Sequence, residues 1–139
     1  MPDSLVFNNG TWIQVQGASA SNLPTRDITV EAWVMLQNST RWGGIVGYVE
    51  DNGAYERGFV LTYHNSKFGF AVSTSGNLPY LYGGPDYEFG VWYHVMGTWD
   101  GADIALYVDG LMVESQPLSG SAISYPDASY NTIMTIGSY

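Results

Sequence analysis

The chain has 139 residues, of which 15% are aromatic and only 12% charged, with 17 glycines and no cysteine. This composition favours a single β-rich domain over residues 1–139 that is not held by disulfides. A formal net charge of −9, with only four Lys and Arg residues, excludes the basic surface that nucleic acids and anionic membranes need. No apolar run is long enough to be inserted into a membrane.

Short strand patterns separated by turns fill the first half of the chain. Ser4–Phe7 and Trp12–Val15 predict a pair of strands around the turn Asn8-Asn9-Gly10. Ile28–Leu36 carries apolar residues on both faces, which favours a central strand of a sandwich. The polar segment Glu50–Arg57 is predicted to be a loop. Further strands are expected at Gly44–Val49, Gly58–Tyr63 and Lys67–Ser73.

The stretch Trp92–Gly110 shows the clearest pattern in the chain. Its first residues alternate between two faces, and one face would carry Tyr93, Val95, Gly97 and Trp99. The Asp-Gly pairs at 100–101 and 109–110 favour tight hairpin turns. Together with the apolar start of Leu111–Gln116, the pattern predicts a meander of three antiparallel strands.

The segments on either side of the meander are less regular. Ser75–Gly90 is rich in Gly, Pro and Tyr and is predicted to be mainly loop with one short strand. Pro117–Tyr130 is a long polar connection, and Asn131–Gly137 is predicted to form the last strand.

Tryptophan and histidine positions give expectations about the interior. Trp12, Trp33 and Trp99 lie in predicted strands, so we expect them in the core. His94 lies between apolar strand residues and is expected to be a packed, hydrogen-bonded histidine. His64 lies in a predicted turn and is expected to be exposed to solvent.

The meander also resembles the signature of a known family. The matching residues are Trp92, His94-Val95, Gly97-Thr98, Asp100-Gly101 and Leu106–Gly110, and they are similar to those of laminin G-like domains. Upstream, Leu5–Gly10 resembles the opening strand of that family and Asp27–Val34 its third strand. The resemblance implies an all-β fold, an antiparallel β-sandwich (jelly roll) of the concanavalin A-like kind, which hosts both binding modules and enzymes.

One departure from the family concerns the end of the chain. The family's jelly roll closes with a further strand that carries an acidic pair, and this sequence stops at Ser138-Tyr139 without it. The resemblance therefore implies a piece of a larger chain, a domain closed by a partner such as a second copy, or a shortened variant. An unpaired strand edge would favour association.

Catalysis by this domain is not expected. Glucanase relatives carry the carboxylates of a Glu-x-Asp-x-x-Glu strand, and no such spacing occurs here. Glycoside hydrolysis needs two carboxyl groups held at a fixed separation, and the acidic residues of this chain lie mainly in predicted loops. A nucleophile elbow is absent from the sequence, and two isolated histidines without cysteine do not make a closed zinc site.

Calcium is the one cofactor that the resemblance implies. Relatives bind a structural calcium near the turn after the opening strand, which makes Asn8 and Gly10 the candidate ligands here. Asn8-Asn9-Gly10 stands where the family often has an Asp, and the acidic ligand of the closing strand is missing. The Asp-Gly pairs of the meander are interpreted as turn residues, since they need no metal.

A binding site is predicted from aromatic residues in irregular segments. Sugars present apolar C–H faces that stack on aromatic rings, while their hydroxyls need polar partners. The predicted ligand-binding residues comprise five aromatic and three polar side chains: Trp42, Tyr55, Tyr80, Tyr82 and Tyr87, with Asn52, Arg57 and Asp86. Any one of these tyrosines could instead brace a loop or cap the core.

These observations predict a non-catalytic recognition module, with two classes of partner left open. The first is a carbohydrate, either a polysaccharide or a surface glycan, with the chain acting alone or as an accessory domain of a carbohydrate-active enzyme. The alternative is a protein-interaction or assembly module of an adhesin, cell-surface or virion fibre protein, with itself or a larger parent chain as the partner. Either function implies a location outside the cell, at the cell surface or on a virion.

Overall fold

The computed structural model describes residues 3–8, 10–38 and 41–137 and shows two antiparallel sheets packed face to face. Its strands within these ranges are β1 (Ile13–Val15), β2 (Ile28–Met35), β3 (Gly43–Asp51), β4 (Glu56–His64), β5 (Lys67–Val72), β6 (Tyr80–Gly83), β7 (Trp92–Trp99), β8 (Asp103–Val108), β9 (Leu111–Pro117) and β10 (Met134–Ile136). One sheet has six strands in the order β1-β10-β3-β4-β5-β6, and the other has four in the order β2-β7-β8-β9. The predicted all-β sandwich is confirmed.

The meander forms as predicted. Strands β7, β8 and β9 are consecutive neighbours, with Trp99 opposite Ile104 across the first hairpin. The carboxylate of Asp100 accepts hydrogen bonds of 2.9 and 2.8 Å from the backbone N–H groups of Ala102 and Asp103, which closes that turn. At the second turn Asp109 has φ 51°, in the left-handed region that Asp tolerates. The alternating pattern therefore fixes both the hairpins and the face that turns inward.

The interior lies between the two sheets. Leu61, Phe70, Val95 and Leu106 are fully buried in one cluster, with Trp99 among them. The Phe70 ring from the opposite sheet packs directly against Gly97, and a Cβ at this position would overlap the ring. His94 lies outside this interior. It is hydrogen-bonded, as predicted, and its Nε2 lies 2.8 Å from Oε2 of Glu31 on the outer face of the four-stranded sheet.

Two expectations about β2 and its tryptophan are wrong. In the described chain β2 lies at the end of its sheet, next to β7 alone, and is not a central strand. Ile28 and Val30 point inward, so alternation places Trp33 on the outer face, where it remains 54% exposed. Trp12 is also largely exposed, whereas Trp99 is buried as expected. Apolar residues on both faces indicated a covered strand, but the outer face of this sheet carries no further layer of described residues.

The first predicted strand pair is also wrong. Ser4–Asn8 has no strand pairing, and only Ile13–Val15 enters a sheet, beside β10. Thr11 closes the preceding turn instead, because its N–H and hydroxyl both donate to the carbonyl oxygen of Asn8. Asn9 of that turn lies outside the described residues. The last strand, β10, pairs with both β1 and β3; the missing closing strand stays a prediction.

The hairpin of β3 and β4 is longer than the sequence pattern indicated. Pairing continues to Glu50 opposite Arg57 and Asp51 opposite Glu56, so only residues 52–55 form the loop. Cross-strand pairing extends past the apolar residues that mark a strand in sequence. Within the described ranges, the only helical turn is Ala128–Tyr130, and no helix has the length and hydropathy to cross a membrane.

Candidate aromatic binding site

Three of the predicted site residues meet on the outer face of the six-stranded sheet. Tyr80 and Tyr82 share this face because they alternate with Leu81, which is buried in the core. Gly69, opposite Tyr82 on β5, leaves room for the tyrosine, since a Cβ there would lie 2.5 Å from its ring. Trp42 approaches from the segment before β3. The sheet surface beneath them is small and apolar, and with Tyr80 and Trp42 it forms a second cluster containing Val60, Ala71 and Leu78.

The three rings hold one another in fixed orientations. The Tyr80 and Tyr82 rings are parallel within 6° at a centroid distance of 5.8 Å. Trp42 meets Tyr80 edge-on at 6.3 Å, a favourable arrangement for aromatic pairs. Burial raises the pKa of Tyr82, a hydrogen bond from Trp42 lowers it, and the charge of Asp51 raises it further. The three side chains are therefore positioned by contacts with one another.

A depression of about 380 Å³ opens beside these rings. It is lined by Trp42, Val49, Asp51, His64, Tyr80 and Tyr82. Sequence reasoning missed Asp51 and His64, the first because it was assigned to a loop and the second because it was expected to be exposed. His64 is in fact half-buried at the end of β4, and among the described residues its buried Nδ1 has no hydrogen-bond partner.

A second depression of about 360 Å³ lies on the same face, towards β1 and β10. Its walls are Trp12, Tyr130 and Ile133, and Gly47, Val49 and Thr135 lie along the strands beneath. The polar groups around it belong to Glu50, Asn131 and Thr132. Tyr130 was not predicted as a site residue, because it lies at the end of a short helical turn in the long polar connection and follows no strand alternation.

Three predicted residues lie elsewhere, around the loop between β3 and β4. Asn52 accepts hydrogen bonds from the N–H groups of Ala54 and Tyr55 at 3.1 and 2.9 Å, so its side-chain oxygen closes the turn. Tyr55 stacks on Tyr130 with a centroid distance of 4.1 Å. Arg57 lies over the Tyr55 ring at 4.8 Å. These residues brace the loop and do not line the depression beside Tyr80 and Tyr82.

The structure also separates Asp86 and Tyr87 from the aromatic face. The carboxylate of Asp86 forms an ion pair of 2.9 Å with Lys67. Tyr87 is only 6% exposed and packs in the core against Phe68 and Tyr63. Burial raises the pKa of Tyr87, with a smaller contribution from Tyr63. Its side chain is not presented to a ligand at the surface.

The candidate calcium ligands do not fit a calcium site as they stand. Thr11 donates to the carbonyl oxygen of Asn8 through both its N–H and its hydroxyl, at 2.9 and 2.8 Å, which uses both lone pairs of that oxygen. Gly10 has φ 79° and serves the turn. Among the described residues no group of three His, Asp or Glu side chains is arranged to hold a metal. Calcium binding stays a prediction.

The chemistry of this face is that of a binding surface. Each depression has aromatic walls and one carboxylate, Asp51 in the first and Glu50 in the second, and the described lining of neither contains Lys or Arg. Aromatic rings offer stacking surfaces, while carboxylates and hydroxyls accept or exchange hydrogen bonds. The arrangement suits an amphipathic, hydroxyl-rich molecule.

Comparison with known proteins agrees with this description of the fold. A family model described as the concanavalin A-like lectin/glucanases superfamily, of the laminin G type, matches residues 7–138. The chain belongs to this family. A search of curated protein sequences finds no significant match to this laminin G-like domain.

Solved structures share the fold of this laminin G-like domain at low sequence identity. The CBM40 module of a Ruminococcus gnavus IT-sialidase, bound to alpha2,3 sialyllactose, is 14% identical with a TM-score of 0.68, over 92% of this chain and 73% of that one. Domains LG4-5 of the mouse laminin alpha1 chain are 14% identical with a TM-score of 0.62, over 91% of this chain and 31% of that one. The carbohydrate-binding module CBM66 of Bacillus subtilis is 13% identical with a TM-score of 0.52, over 94% of this chain and 90% of that one.

Proposed function

We propose that this domain is a non-catalytic carbohydrate-binding module whose site is the outer face of the six-stranded sheet. The observation that carries the proposal is the cluster of Trp42, Tyr80 and Tyr82 beside an open depression that also contains Asp51 and His64. Rings held by one another lose little conformational freedom when a sugar stacks on them, and the neighbouring carboxylate and hydroxyls are suited to its hydroxyl groups.

The comparisons support this proposal at the level of the fold. Two of the similar structures are carbohydrate-binding modules, and one of them was solved with a bound sugar. At 13–14% identity their ligands do not transfer to this chain. We propose a location outside the cell or at a surface, where glycans of that kind are accessible.

The experiment that tests the proposal is a glycan-binding panel with matched variants. Trp42→Ala and Tyr82→Ala should each weaken sugar binding about tenfold or more, because loss of one stacking ring removes roughly 1.4 kcal/mol. Phe89→Ala is the matched control, since Phe89 is an aromatic residue that is 49% exposed and lines neither depression. Parallel assays with calcium and with a chelator test the calcium prediction. Failure of every glycan to bind the folded protein would refute the proposed function.

A second candidate function, assembly, is favoured by the outer face of the four-stranded sheet. Trp33 and Met112 are 54% and 57% exposed there, and β2 has no strand partner on its outer edge in the described chain. We propose a second copy of this chain as the occupant of that edge. Antiparallel pairing centred on Ala32 would place Glu31 opposite Trp33 of the other copy and avoid opposed carboxylates. Sedimentation equilibrium should then show a dimer that Trp33→Glu dissociates; a monomer at all concentrations would exclude this candidate.

A further inference from the structure

The two depressions on the outer face adjoin each other. Val49 lines both of them, and the neighbouring residues of β3 divide between them, with Glu50 in the depression beside Trp12 and Asp51 in the depression beside Tyr80. Gly47 on β3 has no side chain and lies along the depression beside Trp12, whereas the space above Gly69 on β5 is filled by the Tyr82 ring. The face is therefore a trough that runs across the strands, with aromatic walls at both ends.

The far wall of the trough is held in place by packing. Tyr130 stacks on Tyr55, and the guanidinium of Arg57 lies over the same Tyr55 ring. Because Tyr130 covers one face of Tyr55 at 4.1 Å, Arg57 must lie over the other. The hydroxyl of Tyr55 also accepts a 2.9 Å hydrogen bond from the N–H of Asp127. This stack leaves Tyr130 40% exposed and oriented before any ligand arrives.

The strand order sets an upper limit on the length of the trough. Trp12 directly precedes β1 at one edge of the sheet, and Tyr80 and Tyr82 lie on β6 at the other. Five strand spacings of about 4.8 Å separate these edges, roughly 24 Å, and the Tyr80 side chain extends from β6 to Asp51 on β3, so the distance between the aromatic walls is shorter than this. A monosaccharide occupies one of the two depressions, whereas a chain of several sugar rings lies across both.

The charge of the trough selects among such chains. Its carboxylates are Glu50 and Asp51, and its lining within the described residues contains no Lys or Arg. Thr132 donates a 3.3 Å hydrogen bond to Glu50 and adds a hydroxyl to the same wall. The whole chain carries a net charge of −9, so an anionic polymer would be repelled both locally and at long range.

We infer that the depression walled by Trp12 and Tyr130 is a second sugar subsite, and that the ligand of this domain is an uncharged polysaccharide chain lying across the six-stranded sheet. The inference rests on the proposed function, since it extends the site beside Tyr80 and Tyr82. Sugar rings stack at both walls, and Glu50, Asp51 and Thr132 accept or exchange hydrogen bonds with the hydroxyls between them.

Calorimetric titration with defined oligosaccharides tests this inference. The probes are neutral series of two to six units (cello-, xylo-, manno- and laminari-oligosaccharides), with 3′-sialyllactose and oligogalacturonate as acidic probes. Affinity should rise at least tenfold from the dimer to the hexamer of the bound neutral series. Trp12→Ala should weaken hexamer binding about tenfold, the loss expected for one stacking ring, and should leave dimer binding unchanged.

Two controls keep the result interpretable. Trp12→Phe retains a ring and should restore most of the hexamer affinity if stacking is the cause, whereas Phe89→Ala, exposed but outside both depressions, should leave oligosaccharide affinity unchanged. Thermal unfolding of each variant identifies any that fails to fold. Three results would overturn the inference: equal affinity for dimer and hexamer, hexamer affinity that does not change in Trp12→Ala, or tighter binding of an acidic probe. The proposed function would still stand in these cases if Trp42→Ala abolished sugar binding. Absence of any sugar binding would overturn both.

Discussion

The hydroxyl of Tyr80 donates a 2.7 Å hydrogen bond to Oδ2 of Asp51. Tyr80 belongs to β6 and Asp51 to the end of β3, so the tyrosine side chain lies across the two strands between them, over Val60 and Ala71. This contact holds the Tyr80 ring over these strands, together with its packing against Trp42 and Tyr82. It also places the carboxylate of Asp51 at the side of the candidate sugar site.

Tyr80→Phe tests the importance of this hydrogen bond separately from the ring. We expect a loss of about 1 kcal/mol in the free energy of unfolding, because the contact is largely exposed and is exchanged for one with water. Sugar affinity should fall less than in Tyr80→Ala, which also removes the stacking surface. Chemical denaturation together with titration of the bound oligosaccharide measures both effects, and equal affinity losses in the two variants would contradict a stacking role.

The contact between Gly97 and Phe70 makes a strong prediction about the core. Gly97→Ala should destabilise the fold by about 3 kcal/mol, since its Cβ would overlap the Phe70 ring and the sheets would have to separate. In a Phe70→Ala background the same change should cost much less, because the ring is gone. A double-mutant cycle by denaturant unfolding measures the coupling. Additive effects would show that the overlap is relieved elsewhere.

Tyr125 gives the protein a defined sensitivity to alkaline pH. Its hydroxyl donates a 2.6 Å hydrogen bond to the carbonyl oxygen of Pro24. Burial, and to a smaller extent Tyr48, raises the pKa of Tyr125 from 10.0 to about 12. The unfolded chain loses the Tyr125 proton at a lower pH than the folded protein does. The contribution of Tyr125 to the free energy of unfolding is therefore complete below pH 10 and is lost as pH rises from 10 through about 12.

The matched variant for this prediction is Tyr125→Phe. Between pH 9 and about 12 the melting temperature of the natural sequence should fall more steeply than that of the variant, because only the former loses the Tyr125 contribution. Thermal unfolding at a series of pH values measures both slopes. Parallel slopes would show that Tyr125 titrates as in the unfolded chain.

Asp86→Asn tests whether Asp86 only forms a surface ion pair or also contacts the ligand. Asp86 is bound to Lys67 at 2.9 Å and its side chain is 72% exposed, so the variant should change the free energy of unfolding by less than about 1 kcal/mol. Because it lies outside both depressions, sugar affinity should not change. A large loss of affinity in titrations of this variant would place the site elsewhere.

The sequence predicts the sandwich well because the fold depends on local alternation. In β7 and β8 every second residue is apolar and the turns contain Asp-Gly, so strands, hairpins and inward faces follow without knowledge of the rest. The same alternation cannot tell an outer face that is covered from one that is open. Trp33 was therefore expected in the core although it lies on the surface.

The candidate site could be predicted only in part, because it depends on contacts across the sheet. Tyr80, Tyr82 and Trp42 are recognisable as aromatic residues in irregular segments. Asp51 and His64 join them only because β3, β4, β5 and β6 are neighbours in that order, which is a property of the topology. Tyr87 has the same local context as Tyr82, yet it turns into the core, where it contacts Phe68. Such contacts depend on long-range packing, and no local pattern encodes them.

The most direct test of the central claim is a spectrum of the tryptophan indole N–H groups recorded while a neutral hexasaccharide is added. The five tryptophans report from different parts of the molecule, two beside the trough (Trp12 and Trp42), two in the strands of the other sheet (Trp33 and Trp92) and one in the core (Trp99). The account predicts that the Trp12 and Trp42 signals shift on saturation while the other three stay in place. Shifts of Trp33 and Trp92 alone would place the sugar on the four-stranded sheet and contradict it.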